Sequence, residues 1–137
     1  MAIVADVNEI VRAYLIANAD IIAFFAPDVP RVYCPRLPEN AKLPAVSLFV
    51  RGGSSSPYIP NLPSPSFQID AWANTSITAR LLYRTIYSAL QGLQNQTVGA
   101  YKILSAIEEV QGQDLVDIDI PGYFRTLTFF SVMIRAE

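Results

Sequence analysis

Hydrophobic positions recur first at helical spacing and later in alternation. Val7, Ile10, Val11, Tyr14 and Leu15 fall at i, i+3, i+4, i+7 and i+8, the single stripe of an amphipathic helix. Asp6 followed by Glu9 resembles a capping box and marks its start. The run from Asn18 to Asp20 breaks the pattern. Asp20 is placed to cap a short second helix through Phe25, anchored by Ile21, Ile22, Phe24 and Phe25.

Proline then dominates, with nine of the ten prolines lying between Pro27 and Pro65 and bracketing short extended pieces. Val32-Tyr33 is one such piece. Ala45 to Arg51 is a better strand, with Val46, Leu48 and Val50 on one face and Ser47, Phe49 and Arg51 on the other. The stretch 52–65 holds a Gly-Gly pair, serines and four prolines, and predicts a long loop between strands. Loops of that length are uncommon in compact domains unless they are functional or disordered. In the next strand, Phe67 to Ala73, the residues Phe67, Ile69 and Ala71 alternate with Gln68, Asp70 and Trp72.

Asn74-Thr75-Ser76 offers helix N-caps. The following helix carries Ala79, Leu82, Tyr83, Ile86, Ala89 and Leu90 on one face, and Gly92 is a plausible stop. After a polar connection, strands are predicted over Tyr101 to Val110 and Leu115 to Ile120, then a Pro121-Gly122 turn. Tyr123 to Arg135 forms a long final strand. Phe124, Thr126, Thr128, Phe130, Val132 and Ile134 share one face, and Leu127, Phe129 and Met133 lie on the other. Apolar groups on both faces predict a central strand covered on each side, where helices could supply one cover and a partner subunit the other. The order of elements is that of an α+β protein with a mostly antiparallel sheet packed against two main helices, a single domain over residues 1–137.

Length and composition sharpen this picture. A chain of 137 residues buries a sizeable core without metal or disulfide staples. Hydrophobic residues make up 52% and charged residues only 16%, against about a quarter charged in average globular domains. Either extra surface is buried against a partner or the core is simply large. The net charge of −2 provides no basic footprint for sequence-specific nucleic-acid binding. No apolar run reaches the ~18–20 residues of a membrane span. The first residues lack the basic-then-apolar pattern of a signal peptide, so the expectation is a soluble protein made in the cytoplasm.

Candidate chemistry is sparse. There is no histidine, so the commonest general acid–base group and metal ligand are both missing. Cys34 has neither a disulfide partner nor a histidine to activate it, and reads as a small, partly buried residue. Gly52-Gly53 leads into serine and proline rather than into a helix, unlike a phosphate loop. Glu108 and Glu109 are neighbours on a strand and point to opposite faces. Asp114, Asp117 and Asp119 match no EF-hand spacing and read as a solvated acidic edge. No catalytic, cofactor-binding or metal-binding residue is expected. An enzyme working with carboxylates alone is the least supported reading.

The charge layout carries more. Arg31, Arg36, Lys42 and Arg51 lie in one sector with only Glu39 opposing them, whereas Glu108, Glu109, Asp114, Asp117 and Asp119 lie together without a basic residue. The two sectors either meet head to tail between subunits and close a ring or are two solvated faces.

The middle of the chain, about residues 31 to 92, resembles the tail-completion, or tail-terminator, proteins of long-tailed bacteriophages. The residues that carry the resemblance are Arg31-Val32-Tyr33, then Leu43-Pro44-Ala45-Val46 entering a strand. They continue with Phe67-Gln68-Ile69-Asp70-Ala71-Trp72-Ala73, its small-polar cap, and the helix with Ala79 near its start and Tyr87 to Leu90 near its end. The strand–cap–helix block with Trp72 is the more specific part, and Leu-Pro before a strand is common. The resemblance implies a small α+β virion protein without an active site or cofactor. It would form a homo-oligomeric ring of six at the head-proximal end of the tail tube, stop tube growth and present the head-joining surface. Its partners would be the tail tube protein and a head–tail connector or stopper protein.

Several residues are expected at such contacts. Arg31, Arg36 and Arg51 come from the basic sector, and Glu108, Asp114 and Asp117 from the acidic one. Trp72 lies opposite Phe67 and Ile69, either under a helix or at a subunit contact. Tyr58, Ile59, Asn61 and Leu62 place apolar groups in a Pro-stiffened loop, where ordering on binding costs less entropy. If the ring encloses a DNA channel, an acidic lining around Asp114 to Asp119 would repel phosphates. The competing expectations are a neck or stopper protein of the same particle, and a small-molecule binding module with a pocket beneath the Pro-rich loop.

Overall fold

The computed structural model describes residues 6–34, 36–38, 41–56, 59–116 and 123–136. Among these, three helices accompany six strands: α1 (Val7–Ala17), α2 (Ala19–Phe25), β1 (Val32–Tyr33), β2 (Ala45–Ser56), β3 (Ile59–Ala73), α3 (Ser76–Leu90), β4 (Leu93–Val98), β5 (Tyr101–Val116) and β6 (Phe124–Ala136).

Local polar groups set the helix ends. The Asp6 carboxylate accepts from the Asn8 N–H at 3.2 Å and starts α1. Asn18 both ends α1 and begins α2, its Oδ1 accepting from the N–H groups of Asp20 (3.0 Å) and Ile21 (3.2 Å). The cap of α2 is therefore Asn18 and not Asp20. A cap residue must be extended, as Asn18 is at φ −72°, ψ 131°, and Asp20 already lies within the helix. Thr75 caps α3 by accepting from the Thr78 N–H at 3.1 Å, and Gly92 follows the helix at φ +77°.

The strands form one sheet in the order β1-β2-β3-β6-β5-β4, antiparallel except for the β1–β2 pair. The fold is thus the expected α+β single domain, with β6 at the centre of the sheet between β3 and β5. The core lies on one sheet face. Leu48, Phe67, Ile69, Phe130, Ile134 and Ile103 meet the predicted stripe of α3 and the apolar residues Val11, Leu15 and Ile21 of α1 and α2, all buried. Helix α1 touches β1 and β2 at one end of the sheet and β4 at the other, so the sheet curls around it. Tyr14 locks α1 to α3 by donating to the Ala89 carbonyl at 2.6 Å.

Three expectations are corrected. Residues 52–56 and 59–65 are not a loop: they prolong β2 and β3 into a hairpin whose register runs from Ala45↔Trp72 to Ser56↔Ile59. The prolines are tolerated because β3 pairs with β6 only from Ser66 onward, so the Pro-bearing half of β3 has a ladder partner on one side only. Register shifts after Val50 and after Ser54 absorb the irregularity. The polar connection before Tyr101 contains β4, an edge strand whose Gln94, Asn95, Gln96 and Thr97 are all exposed and leave no alternation to read. The two strands expected over 101–110 and 115–120 are joined in the single strand β5, with three register shifts against β6 in place of a break. The expected Pro121-Gly122 turn and the end of the second strand lie outside the described residues.

Candidate interaction surfaces

Most of the charges expected at contacts between subunits are engaged within this one. Arg31 donates from Nε to the Pro44 carbonyl (2.9 Å), pairs with Asp28 (3.1 Å) and lies 5.2 Å from the Phe25 ring centroid. Hydrogen bonds from Arg31 and then Lys42 hold the Asp28 carboxyl below its ordinary value. Glu108 points to the helix side of the sheet and accepts from the Tyr83 hydroxyl (2.7 Å) and the Thr128 hydroxyl (2.6 Å). Burial, followed by the Glu108 hydrogen bond, raises the Tyr83 phenol and keeps it a donor. Asp114 pairs with Arg80 at 3.5 Å and accepts from Thr126 at 3.0 Å. Arg36 is exposed. Tyr58 and Asp117 lie outside the described residues, and Ile59, Asn61 and Leu62 belong to β3 by their backbone.

The sheet face away from the helices carries a polar–aromatic network that includes the other two expected residues, Arg51 and Trp72. Trp72 lies on this open face rather than under a helix. Its Nε1 donates to Ser47 Oγ at 2.9 Å, Arg125 sits 5.2 Å from its ring centroid, and Tyr123 packs edge-on at 6.3 Å. Arg51 donates to Gln68 Oε1 at 2.9 Å and covers Phe129 at 5.7 Å. Gln68 in turn donates to Asp70 Oδ2 at 3.2 Å. Asp70 is almost wholly buried. Its Oδ1 accepts no hydrogen bond among the described residues and has the Arg125 guanidinium 3.7 Å away. Burial raises its carboxyl above the ordinary value, partly offset by Gln68, Arg125 and Ser47.

Two exposed apolar patches were not singled out by sequence reasoning. On the outer side of α3, Ile77 is 81% and Leu81 50% exposed, with Arg84 exposed beside them. Hollows of about 370 and 470 Å³ run along this stripe and share Leu81 and Arg84 as walls. On the open sheet face, Ile107 is 56% and Val110 38% exposed, next to the exposed Glu109. The spacing of residues 77, 81 and 84 held a signal for the first patch, since i, i+4, i+7 places them together opposite the core stripe. The second depends on a register shift between Glu108 and Val110, which has no local sequence signature.

Cys34 is half-buried, and burial pushes its thiol up, so the reactive thiolate is disfavoured. Among the described residues no group of three or more metal-ligating side chains stands together, and no helix is long and apolar enough to cross a membrane.

This fold, a curled six-stranded sheet with its helices on one face, defines a class of small α+β proteins. No protein-family model matches the chain, and no curated protein does. Among solved structures, a chain of the virion of a native gene transfer agent (GTA) particle shares the fold. The TM-score is 0.65 at 17% sequence identity, and the match covers 95% of this chain and 95% of that one.

Proposed function

We propose that this protein is a structural, non-enzymatic component of a phage-like particle. In this reading it forms a ring that caps the head-proximal end of the tail tube, ends tube growth and presents the head-joining surface. The observation that carries the reading is the end-to-end fold likeness to a chain of a virion. The finer role rests on the resemblance of residues 31 to 92 to tail-terminator proteins. Two exposed apolar patches, on opposite sides of the subunit, suit a protein that meets neighbours on two sides. Its partners are then copies of itself, the tail tube protein and a connector or stopper protein, and its place is the neck of the virion.

Native mass spectrometry of the purified protein, alone and mixed with polymerising tail-tube protein, tests this. A ring, or a monomer that becomes a ring on tube ends and halts their growth, is the expected result. A ring that ignores tubes and binds the portal-side connector would reassign the protein to the neck as a stopper. A monomer or dimer indifferent to both would overturn the proposal.

A further inference from the structure

A closed ring requires a heterologous contact: one patch on each subunit must fit a different patch on the next. The two exposed apolar patches meet that requirement in position, composition and charge. The first lies on α3, on the helix side, and the second on β5, on the open side of the sheet. From Ile77 to Arg84 the helix advances about 10 Å at 1.5 Å per residue. From Ile107 to Val110 the strand carries one extra residue at a register shift and faces only Ser131 to Phe129 of β6, so it advances about 7 Å at ~3.3 Å per paired residue. Each patch thus presents two apolar side chains and one charge within about 10 Å. The charges are opposite, Arg84 on the helix and Glu109 on the strand.

Arg84 makes no hydrogen bond or ion pair among the described residues, although Arg80, one turn earlier on the same helix, is engaged with Asp114 and the Gly112 carbonyl. Glu109 accepts from Ser66 Oγ through Oε1 at 2.6 Å, which holds its carboxylate above the sheet face. A carboxylate has room for further donors on its second oxygen. An unpaired guanidinium flanked by exposed isoleucine and leucine suits a partly dry contact with an acid flanked by isoleucine and valine.

We infer that the α3 stripe Ile77–Leu81–Arg84 of one subunit docks on the Ile107–Glu109–Val110 patch of the next copy of this chain, with Arg84 paired to Glu109. The contact rests on the ring reading and supplies its head-to-tail interface. It keeps Glu109 of the acidic sector expected from sequence but takes Arg84 as its mate, because Arg31 and Glu108 are engaged within the subunit.

The test is a charge swap followed by native mass spectrometry under conditions in which the unmodified protein forms its ring, with circular dichroism as a check of folding. Arg84→Glu and Glu109→Arg are both surface changes, and each alone is expected to lower the ring population at least tenfold while leaving the fold intact. The double variant R84E/E109R is expected to restore it. Rings that persist in either single variant, or a double variant that stays dissociated, would overturn this contact and leave the ring reading standing. Failure of the unmodified protein to form a ring, alone or on tubes, would overturn both.

Discussion

Gly112 sits in β5 directly against the ring of Tyr83. A Cβ at this position would lie 2.6 Å from Tyr83 Cζ, well inside contact distance. The Gly112 N–H also donates to the Tyr83 hydroxyl at 3.2 Å, and that hydroxyl donates onward to Glu108. A glycine within a strand often marks such a close approach. Gly112→Ala is expected to destabilise the protein by about 1–3 kcal/mol, the usual range for overpacking, measured by denaturant unfolding. No loss would mean that the ring moves aside freely. Asp70 carries a second prediction at this scale. Because burial raises its carboxyl, the folded state holds the proton more tightly than the unfolded state does. Its contribution therefore falls as pH rises from the ordinary value of 3.8 through the raised folded value. Asp70→Asn removes that dependence. Melting temperatures measured across this window should show the variant gaining on the unmodified protein as pH rises, and parallel curves would refute the assignment.

At the scale of elements, α3 divides cleanly into two faces. Leu82 is fully buried between the helix layer and the sheet, whereas Ile77 faces outward. Leu82→Ala should cost about 2–5 kcal/mol. Ile77→Ala should change the stability of the isolated subunit by no more than about 0.5 kcal/mol, and chemical denaturation of the two variants distinguishes the faces. This division was legible in the sequence, because the six core residues of α3 obey the 3.6-residue period without exception. The strands over 45–51 and 67–73 were legible for the same reason, each alternating between a core face and a polar one. The continuation of β2 and β3 was hidden, because glycine and proline signal loops unless a strand has a free side to spare. Strand β4 was hidden by its polarity. Of the candidate contacts, the facing of Trp72 away from Phe67 could be read from alternation. The internal use of Glu108 and Asp114 could not: their partners Tyr83 and Arg80 are 25 and 34 residues away in sequence, and only the packing of α3 on β5 brings them together.

At the scale of the whole molecule, the subunit has two dissimilar faces, helices on one and a polar–aromatic sheet surface on the other. In the proposed ring, those two faces would be the two halves of a head-to-tail contact. The assembly test is strongest at this level, since a ring depends on both faces at once and a defect in either stops closure. The position of β6 has a different consequence. It follows the other described strands in the sequence and yet lies at the centre of the sheet. Until it emerges from the ribosome, β1–β2–β3 and β4–β5 are two separate ribbons with no strand to bridge them. The pairing of β6 with β3 joins residues 51 to 65 positions apart, the kind of non-local contact that slows folding. The order of synthesis thereby sets a constraint: a chain interrupted before β6 has a divided sheet, and under the proposed function it has no continuous surface to offer a neighbour.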